Sequence, residues 1–392
     1  MGEIWKNLKG NHNLTGVFIA NFFTAFHYFL LGYINSSFLG GFFSANTLGF
    51  IYIIASLAST ILLIKSPDVL NRFGNINFLL FFIGGEIISL VALALLKLPP
   101  LIVPFFIFSQ ISIFMMIFSL DIFLETVIKD ESHTGFIRTS FITTANIALI
   151  ISPIIVGFLV GDDKYHRVFL LAAALLVPAF IFSIKSLSKI EKPNFNHPKI
   201  IETWLELRRS ADIMRITTVN FILQFFYAWM VVYTPIYLHQ EVGFSWKIIG
   251  IIFTIMLLPF VIFEIPAGEM ADKKYGEKEI IFMGLLIIAI SVFFMPFIHS
   301  PSFLIWSAVL FLSRVGASIV EAGTESYFFK HVGGSDVNVI SAFRIVRPLS
   351  YVAAPLVAFV TLRAFDLRNS YFVLAIIVSV GLYFILKIKD TK

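Results

Sequence analysis

The chain contains no cysteine, and only 14% of its 392 residues carry charge. The first absence removes disulfides, cysteine-ligated metal centres and thiol catalysis, and it leaves the redox compartment open. The second removes a soluble globular fold of this size, whose surface needs roughly a quarter of its residues charged. There is no G-x-x-x-x-G-K-[ST] phosphate loop, so ATP-driven chemistry has no support. H-E-x-x-H and G-x-S-x-G are missing too, and no basic stripe marks a nucleic-acid interface. No catalytic residue, metal or cofactor is therefore expected, and no nucleic-acid partner.

What is abundant is apolar surface. Hydrophobic residues make up 58% of the chain, 46 of them Phe, and mean hydropathy is +0.90. Such a chain has lipid as its main solvent. A helix needs about 20 apolar residues to cross a bilayer. On that basis segments fall near 14–38, 44–64, 76–96, 100–125, 138–161 and 167–185, then near 216–238, 246–266, 280–298, 302–325, 343–362 and 370–387. The shortest breaks are at Pro99-Pro100 and His299-Ser300-Pro301. Lys6 and Lys9 precede the first segment, which is longer than a signal-peptide core and reads as a membrane helix.

Charge orients this layout. With the N-terminus inside and segments alternating, 22 of the 29 Lys and Arg lie on the inner side and six on the outer, with Arg314 alone inside a segment. That is the positive-inside bias, and one segment more or fewer would scramble it. The long hydrophilic stretch at the midpoint, 186–215, reads as a cytoplasmic linker between a bundle at 1–185 and another at 216–392. The fold class expected is an all-α polytopic membrane protein of about twelve helices in two pseudo-symmetric six-helix bundles, in the inner (plasma) membrane with both termini cytoplasmic.

The halves match at an offset near 200. Asn21 corresponds to Asn220, Tyr33 to Tyr233, Ser44 to Ser245, Gly49 to Gly250, Asp121 to Glu321, Glu125 to Glu325, and Ser152-Pro153 to Ala354-Pro355. A parallel repeat of this kind places a binding site between the halves near mid-bilayer. Within it, Gly268-Glu269-Met270-Ala271-Asp272-Lys273-Lys274-Tyr275-Gly276-Glu277-Lys278 follows the form G-x-x-A-D-x-x-G-x-[RK], and Pro67 to Asn75 is a worn copy that lacks the leading Gly and has Asn71 for the Asp. This resembles the signature loop of the major facilitator superfamily, and the resemblance extends over essentially the whole chain. Ser152-Pro153-Ile154-Ile155-Val156-Gly157 resembles a decayed form of the Gly-Pro motif of that family's drug antiporters.

Ionisable residues inside a span cost roughly 2.5–3.5 kcal/mol each on insertion scales, so each needs a reason. Asp121 with Glu125, and Glu321 with Glu325, sit one turn apart near inner helix ends. Like charges at that spacing repel and call for nearby cations. The family resemblance implies a cytoplasmic gate in which Glu125 meets Arg72 and Arg138, while Glu325 meets Lys273 and Arg344, with Asp272 in the loop. Static neutralisation of helix ends is the plainer alternative. Arg314, midway along the tenth segment, holds an anionic group, modulates a proton site, or simply pairs with Glu321 or Glu264. Glu86 and Glu264 are similar intramembrane acids. His27, read as the only histidine within a span, is a proton-transfer candidate or a hydrogen-bonded packing residue; Asn21 and Thr24 are on nearby faces. Gln224, Tyr227, Trp229 and Tyr233 offer amide and aromatic contacts to a solute or simply pack. Gly157-x-x-x-Gly161 allows close helix approach.

The function expected is secondary active transport of a small solute by alternating access, proton-coupled, with drug or metabolite efflux in view, by a monomer in the bilayer. An integral membrane acyl or glycosyl transferase, or a non-transporting receptor on the same fold, are the alternatives. The short loops and the symmetric repetition of acids favour transport over an enzyme. Reporter fusions test the topology: those at Lys192 and Lys392 should report the cytoplasm and one at Asp163 the opposite side. An outside signal at Lys392 would rule out an even number of spans.

Overall fold

The computed structural model describes residues 12–127, 134–161, 163–188, 190, 210–263, 266, 276–331 and 337–389. Among these no strand occurs, and each segment expected from the sequence meets a helix. The helices are α1 (His12–Gly32), α2 (Asn35–Gly40), α3 (Ala45–Phe73), α4 (Asn75–Leu95), α5 (Pro99–Val127), α6 (Thr134–Val160) and α7 (Tyr165–Phe182). Then come α8 (Ala211–Ile236), α9 (Trp246–Ile262), α10 (Glu277–Phe294), α11 (Phe303–His331), α12 (Val337–Ala364) and α13 (Ser370–Leu386). Single π-turns extend α7 through Leu187 and α8 through Glu241. Among the described residues nine helices are long and apolar enough to cross a membrane, and Thr144–Val160, Trp246–Ile262 and Ser370–Leu386 are shorter apolar helices. The chain is thus a multi-pass helical membrane protein.

Helices follow from the solvent. In hydrocarbon no water satisfies a bare N–H or C=O, so each segment must bond to itself. The side-chain hydroxyls obey the same constraint: Ser59 donates to the Ala55 carbonyl at 2.8 Å, Ser152 to Ala148 at 2.7 Å and Thr217 to Ile213 at 2.7 Å. Each returns a bond to its own helix one turn back. Large apolar side chains then face outward. Phe81, Ile88 and Leu95 on α4 are all exposed and recur every seven residues, a stripe for lipid tails.

The chain divides into two compact units, one of residues 1–35 and 55–197, the other of residues 36–54 and 198–392. Two of the boundaries fall inside helices, one in α2 and one in α3. In the first unit α1 packs on α5, α6 and α7, while α4 packs on α5 and α7. In the second, α8 packs on α11, α12 and α13, and α10 on α11 and α13. The same five pairings recur when each helix is shifted by the repeat. Among the described spans the most enclosed is on α8, where 83% of the apolar window within Ala211–Glu241 is buried, against 39% of that within Pro99–Leu124. A helix so enclosed can carry polar side chains that a lipid-facing one cannot.

Four expectations are corrected. The first-half signature segment is not a loop: α3 continues to Phe73 with Ser66 and Leu70 buried on one face, and the turn shrinks to Gly74 at φ 79°. Gly276 before α10 takes the same conformation at φ 86°, which a side chain would strain. Arg138 and Arg344 do not open their helices, since α6 begins at Thr134 and α12 at Val337. His27 is not the only span histidine, because the π-turn carries His239 inside the span Ala211–Glu241. Arg314 is not the only cation in a helix. Lys65, Arg72, Arg347 and Arg363 also lie in helices, which run past the apolar windows at their ends.

Close packing of α10 on α11 depends on two glycines. A Cβ on Gly316 would lie 2.5 Å from the Gly284 carbonyl oxygen, and one on Gly284 would lie 2.7 Å from that of Gly316. Backbone meets backbone there, as in small-residue crossings of membrane helices. Gly316→Ala should therefore destabilise the protein by about 1–3 kcal/mol. Gly32→Ala, where nothing lies within 4 Å of the added carbon, should leave the melting transition of the detergent-solubilised protein unchanged.

Candidate functional site

Among the described residues, two clusters of polar side chains, one in each unit, hold ionisable groups within the spans. In the first unit α1, α4 and α5 bring together His27, Glu86 and Ser109, all essentially inaccessible. His27 Nε2 lies 2.9 Å from Glu86 Oε1, and Ser109 Oγ donates to the same oxygen at 2.7 Å. His27 Nδ1 lies 3.1 Å from the Thr24 carbonyl. Lower on α1, Asn21 donates its amide to the Phe141 carbonyl at 2.8 Å and to Thr144 Oγ1 at 3.0 Å, tying α1 to α6.

In the second unit α8 and α11 form the centre. Arg314 is buried, with its guanidinium carbon 4.7 Å from the Phe226 ring centroid and 5.7 Å from that of Tyr227. Tyr227 donates its hydroxyl to Glu321 Oε2 at 2.8 Å. A cation held over aromatic faces away from water gains on the order of 2 kcal/mol, which offsets part of its desolvation. Arg314 and Glu321 are seven residues apart on one face of α11. Asn220, Gln224 and Tyr227 follow one face of α8, with Asn220 and Gln224 buried. Tyr233 is buried farther along α8, near Gly49. Against it packs Trp229, its ring tilted by 52° with centroids 5.4 Å apart.

The charge network expected from the signature segments is only partly on view. Arg72 is exposed, with its guanidinium carbon 5.3 Å from the Phe73 ring centroid, and Glu325 is exposed on α11. Asp121 is half-buried on α5. Asp272, Lys273 and Glu264 lie outside the described residues, as do the side chains of Glu125, Arg138 and Arg344. The sequence reading passed over Glu277. It opens α10 fully buried, bonded to Lys330 Nζ and accepting from Ser326 Oγ at 3.1 Å, so it ties α10 to the end of α11. Asn75 at the start of α4 does the equivalent, exchanging bonds with Ser119 at 3.0 and 2.6 Å. The shared signal was the residue after each signature glycine. Among the described residues no group of three or more His, Asp or Glu is placed to hold a metal.

Lipid-facing helices that enclose a cluster of ionisable groups in each unit define a multi-pass membrane protein with polar sites inside it. The Major Facilitator Superfamily model matches residues 130–355 and 247–392, and the chain belongs to that family. A crystal structure of the nucleoside transporter NupG, in a single-substitution mutant form, superposes with a TM-score of 0.77 at 11% identity. The match covers 95% of this chain and 98% of that one. At that identity the likeness shows the fold. No curated protein matches by sequence.

The second-unit cluster makes a quantitative expectation. A hydrogen bond to a charged group contributes about 1.5–3 kcal/mol, and Tyr227 and Glu321 are both half-buried. In a double-mutant cycle on stability, Tyr227→Phe and Glu321→Ala should show coupling of that size. Additive losses would mean that the two side chains act separately.

Proposed function

We propose that this protein is a secondary active transporter that moves a small organic solute by alternating access, coupled to protons. In this reading it has twelve spans in two six-helix bundles, 1–185 and 216–392, joined by a cytoplasmic linker. It functions as a monomer in the inner membrane with both termini inside. Family membership supports transport, since the family is one of transporters. The observation that carries the solute class is the α8–α11 cluster. Arg314 and Glu321 supply opposite charges, Asn220 and Gln224 supply amides, and Phe226 and Tyr227 supply flat faces. Few polar groups on an apolar, aromatic wall fix the orientation of a ligand that is part ring and part hydrogen-bonding. Nucleosides have that chemistry, and the superposed structure is that of a nucleoside transporter, which makes them the first class to test. Ser152-Pro153, through its likeness to drug antiporters, makes export the first direction to test.

Gating belongs to the same proposal. Glu125 with Arg72 and Arg138, and Glu325 with Asp272, Lys273 and Arg344, close the cytoplasmic face as a network. A single exposed pair contributes only about 0–1 kcal/mol, but several acting together shift an equilibrium whose states differ by a few kcal/mol.

Proteoliposomes loaded with unlabelled uridine test the solute. Labelled uridine should accumulate by counterflow several-fold above protein-free vesicles. Arg314→Ala should reduce that signal at least tenfold, because it removes the cation at the centre of the wall. If cationic drugs exchange and nucleosides do not, the solute class is wrong. If neither class exchanges, the transport reading loses its support.

A further inference from the structure

The first-unit cluster has a hydrogen-bond geometry that fixes where protons sit. A carbonyl oxygen only accepts, so the contact of His27 Nδ1 with the Thr24 carbonyl at 3.1 Å requires the hydrogen on Nδ1. His27 Nε2 and Glu86 Oε1, 2.9 Å apart, then share one proton, carried by either the imidazole or the carboxyl group. Ser109 donates to Oε1 at 2.7 Å in both cases. Remove that proton and two lone pairs face each other beside a bare carboxylate. Both side chains are 0% exposed, and an uncompensated charge is not tolerated at such a site.

Among the described residues no other charge stands close enough to compensate. Glu86 is the only ionisable residue on α4. On α5, Asp121 and Glu125 lie 12 and 16 residues past Ser109, roughly 18 and 24 Å along the axis. Arg138 on α6 lies three residues before Phe141, which meets Asn21, and that puts it about 13 Å below His27. On α7, His166 and Arg167 lie 14 and 13 residues from Phe180, which approaches Gly84; that is roughly 20 Å along the axis. Lys185 adjoins Ser186, which abuts Gly16, eleven residues below His27 and so about 16 Å away.

One edge of the cluster is ready for water. Glu86 Oε2, Thr24 Oγ1 and Ser112 Oγ are buried and have no hydrogen-bond partner among the described residues. Thr24 comes three residues before His27 on α1, and Ser112 three after Ser109 on α5. The bonds Asn75–Ser119 and Glu86–Ser109 show α4 and α5 antiparallel, and α1, two spans before α4, runs the same way as α4, so both hydroxyls lie one turn to the same side of the pair. Buried polar atoms without partners are uncommon and take up water readily.

From this we propose that His27 and Glu86 form a single-proton site that can be buried only while its shared proton is bound. Hydration along the Thr24–Ser112 edge would separate imidazole from carboxylate and let the proton leave; closure would require its return. The inference rests on the proton-coupled reading above and assigns the proton's position within it. Glu86→Gln makes the distinguishing variant, because its amide donates to Nε2 and keeps a neutral, permanently closed pair.

Two measurements on the full-length protein in lipid bilayers decide the matter. In solid-state NMR with nitrogen-labelled histidine, the His27 signals are assigned by their loss in His27→Gln. Nδ1 should stay protonated from acid to alkaline pH while the Nε2 resonance moves in one step, and in Glu86→Gln that step should vanish. A His27 protonated on Nε2 alone, or a titration unchanged by Glu86→Gln, would overturn the site. In proteoliposomes, the ratio of uridine accumulation driven by a pH gradient to uridine exchange at equal pH should fall at least tenfold in Glu86→Gln. An unchanged ratio alongside pH-driven transport in the native protein overturns the site and leaves coupling intact. If the native protein shows the NMR step but no pH-driven transport, the site stands and the coupling reading fails.

Discussion

Hydrocarbon solvates neither a peptide group nor a charge, and nearly every feature of this protein is a response to that fact. The backbone closes its bonds within helices, and serine and threonine hydroxyls turn back to carbonyls of their own turn. Ionisable side chains within the apolar cores of helices sit with partners: His27 with Glu86, Arg314 over Phe226 and Tyr227, Glu321 with Tyr227. In water such pairs would add little. In this setting they decide which helix faces meet, because any other arrangement strands a charge among methylene groups.

The same constraint explains why polar function is confined to a few helices. On α8 amides, a tyrosine and threonines line an enclosed helix, whereas α4 shows lipid a stripe of Phe and Ile and carries one acid on its other side. The five helix pairings common to both units keep α8 and its counterpart α1 in equivalent surroundings. The two have diverged chemically. One holds an imidazole bonded to a carboxyl, the other a hydroxyl bonded to a carboxylate beside a guanidinium.

Much of the fold was legible in the sequence, because a run of twenty apolar residues has few alternatives in lipid. The break at His299-Ser300-Pro301 is non-helical as expected, whereas the one expected at Pro99-Pro100 falls just before it, at Leu96 to Leu98, because the two prolines open α5. The first signature segment misled because Asn71 and Arg72 look like loop residues, while the helix meets its first obstacle only at Gly74. Helix starts near Arg138 and Arg344 were misplaced for a related reason: polar helix ends lie outside the hydrophobic window. Of the polar residues, Glu86, His27 and Arg314 stood out by cost alone. Their partners did not. Glu86 and His27 are 59 residues apart, and Ser109 is one serine among many; nothing in one dimension pairs them. Glu277 was read as a variable position because its role appears only when α10 lies against the end of α11.

The contact between Gly284 and Gly316 has a mechanical side. Where side chains separate two helices, they act as a compliant layer that lets one slide over the other. Here the carbonyl of each helix lies against the α-carbon of its neighbour, and the clasp from Glu277 to Lys330 and Ser326 closes one end of the pair. Slippage is blocked along the whole seam. Helices α10 and α11 are therefore held as one stiff plank, and bending in the second unit falls to places where its other helices depart from regular geometry, the π-turn from Tyr237 to Glu241 and the prolines within α8, α9 and α12.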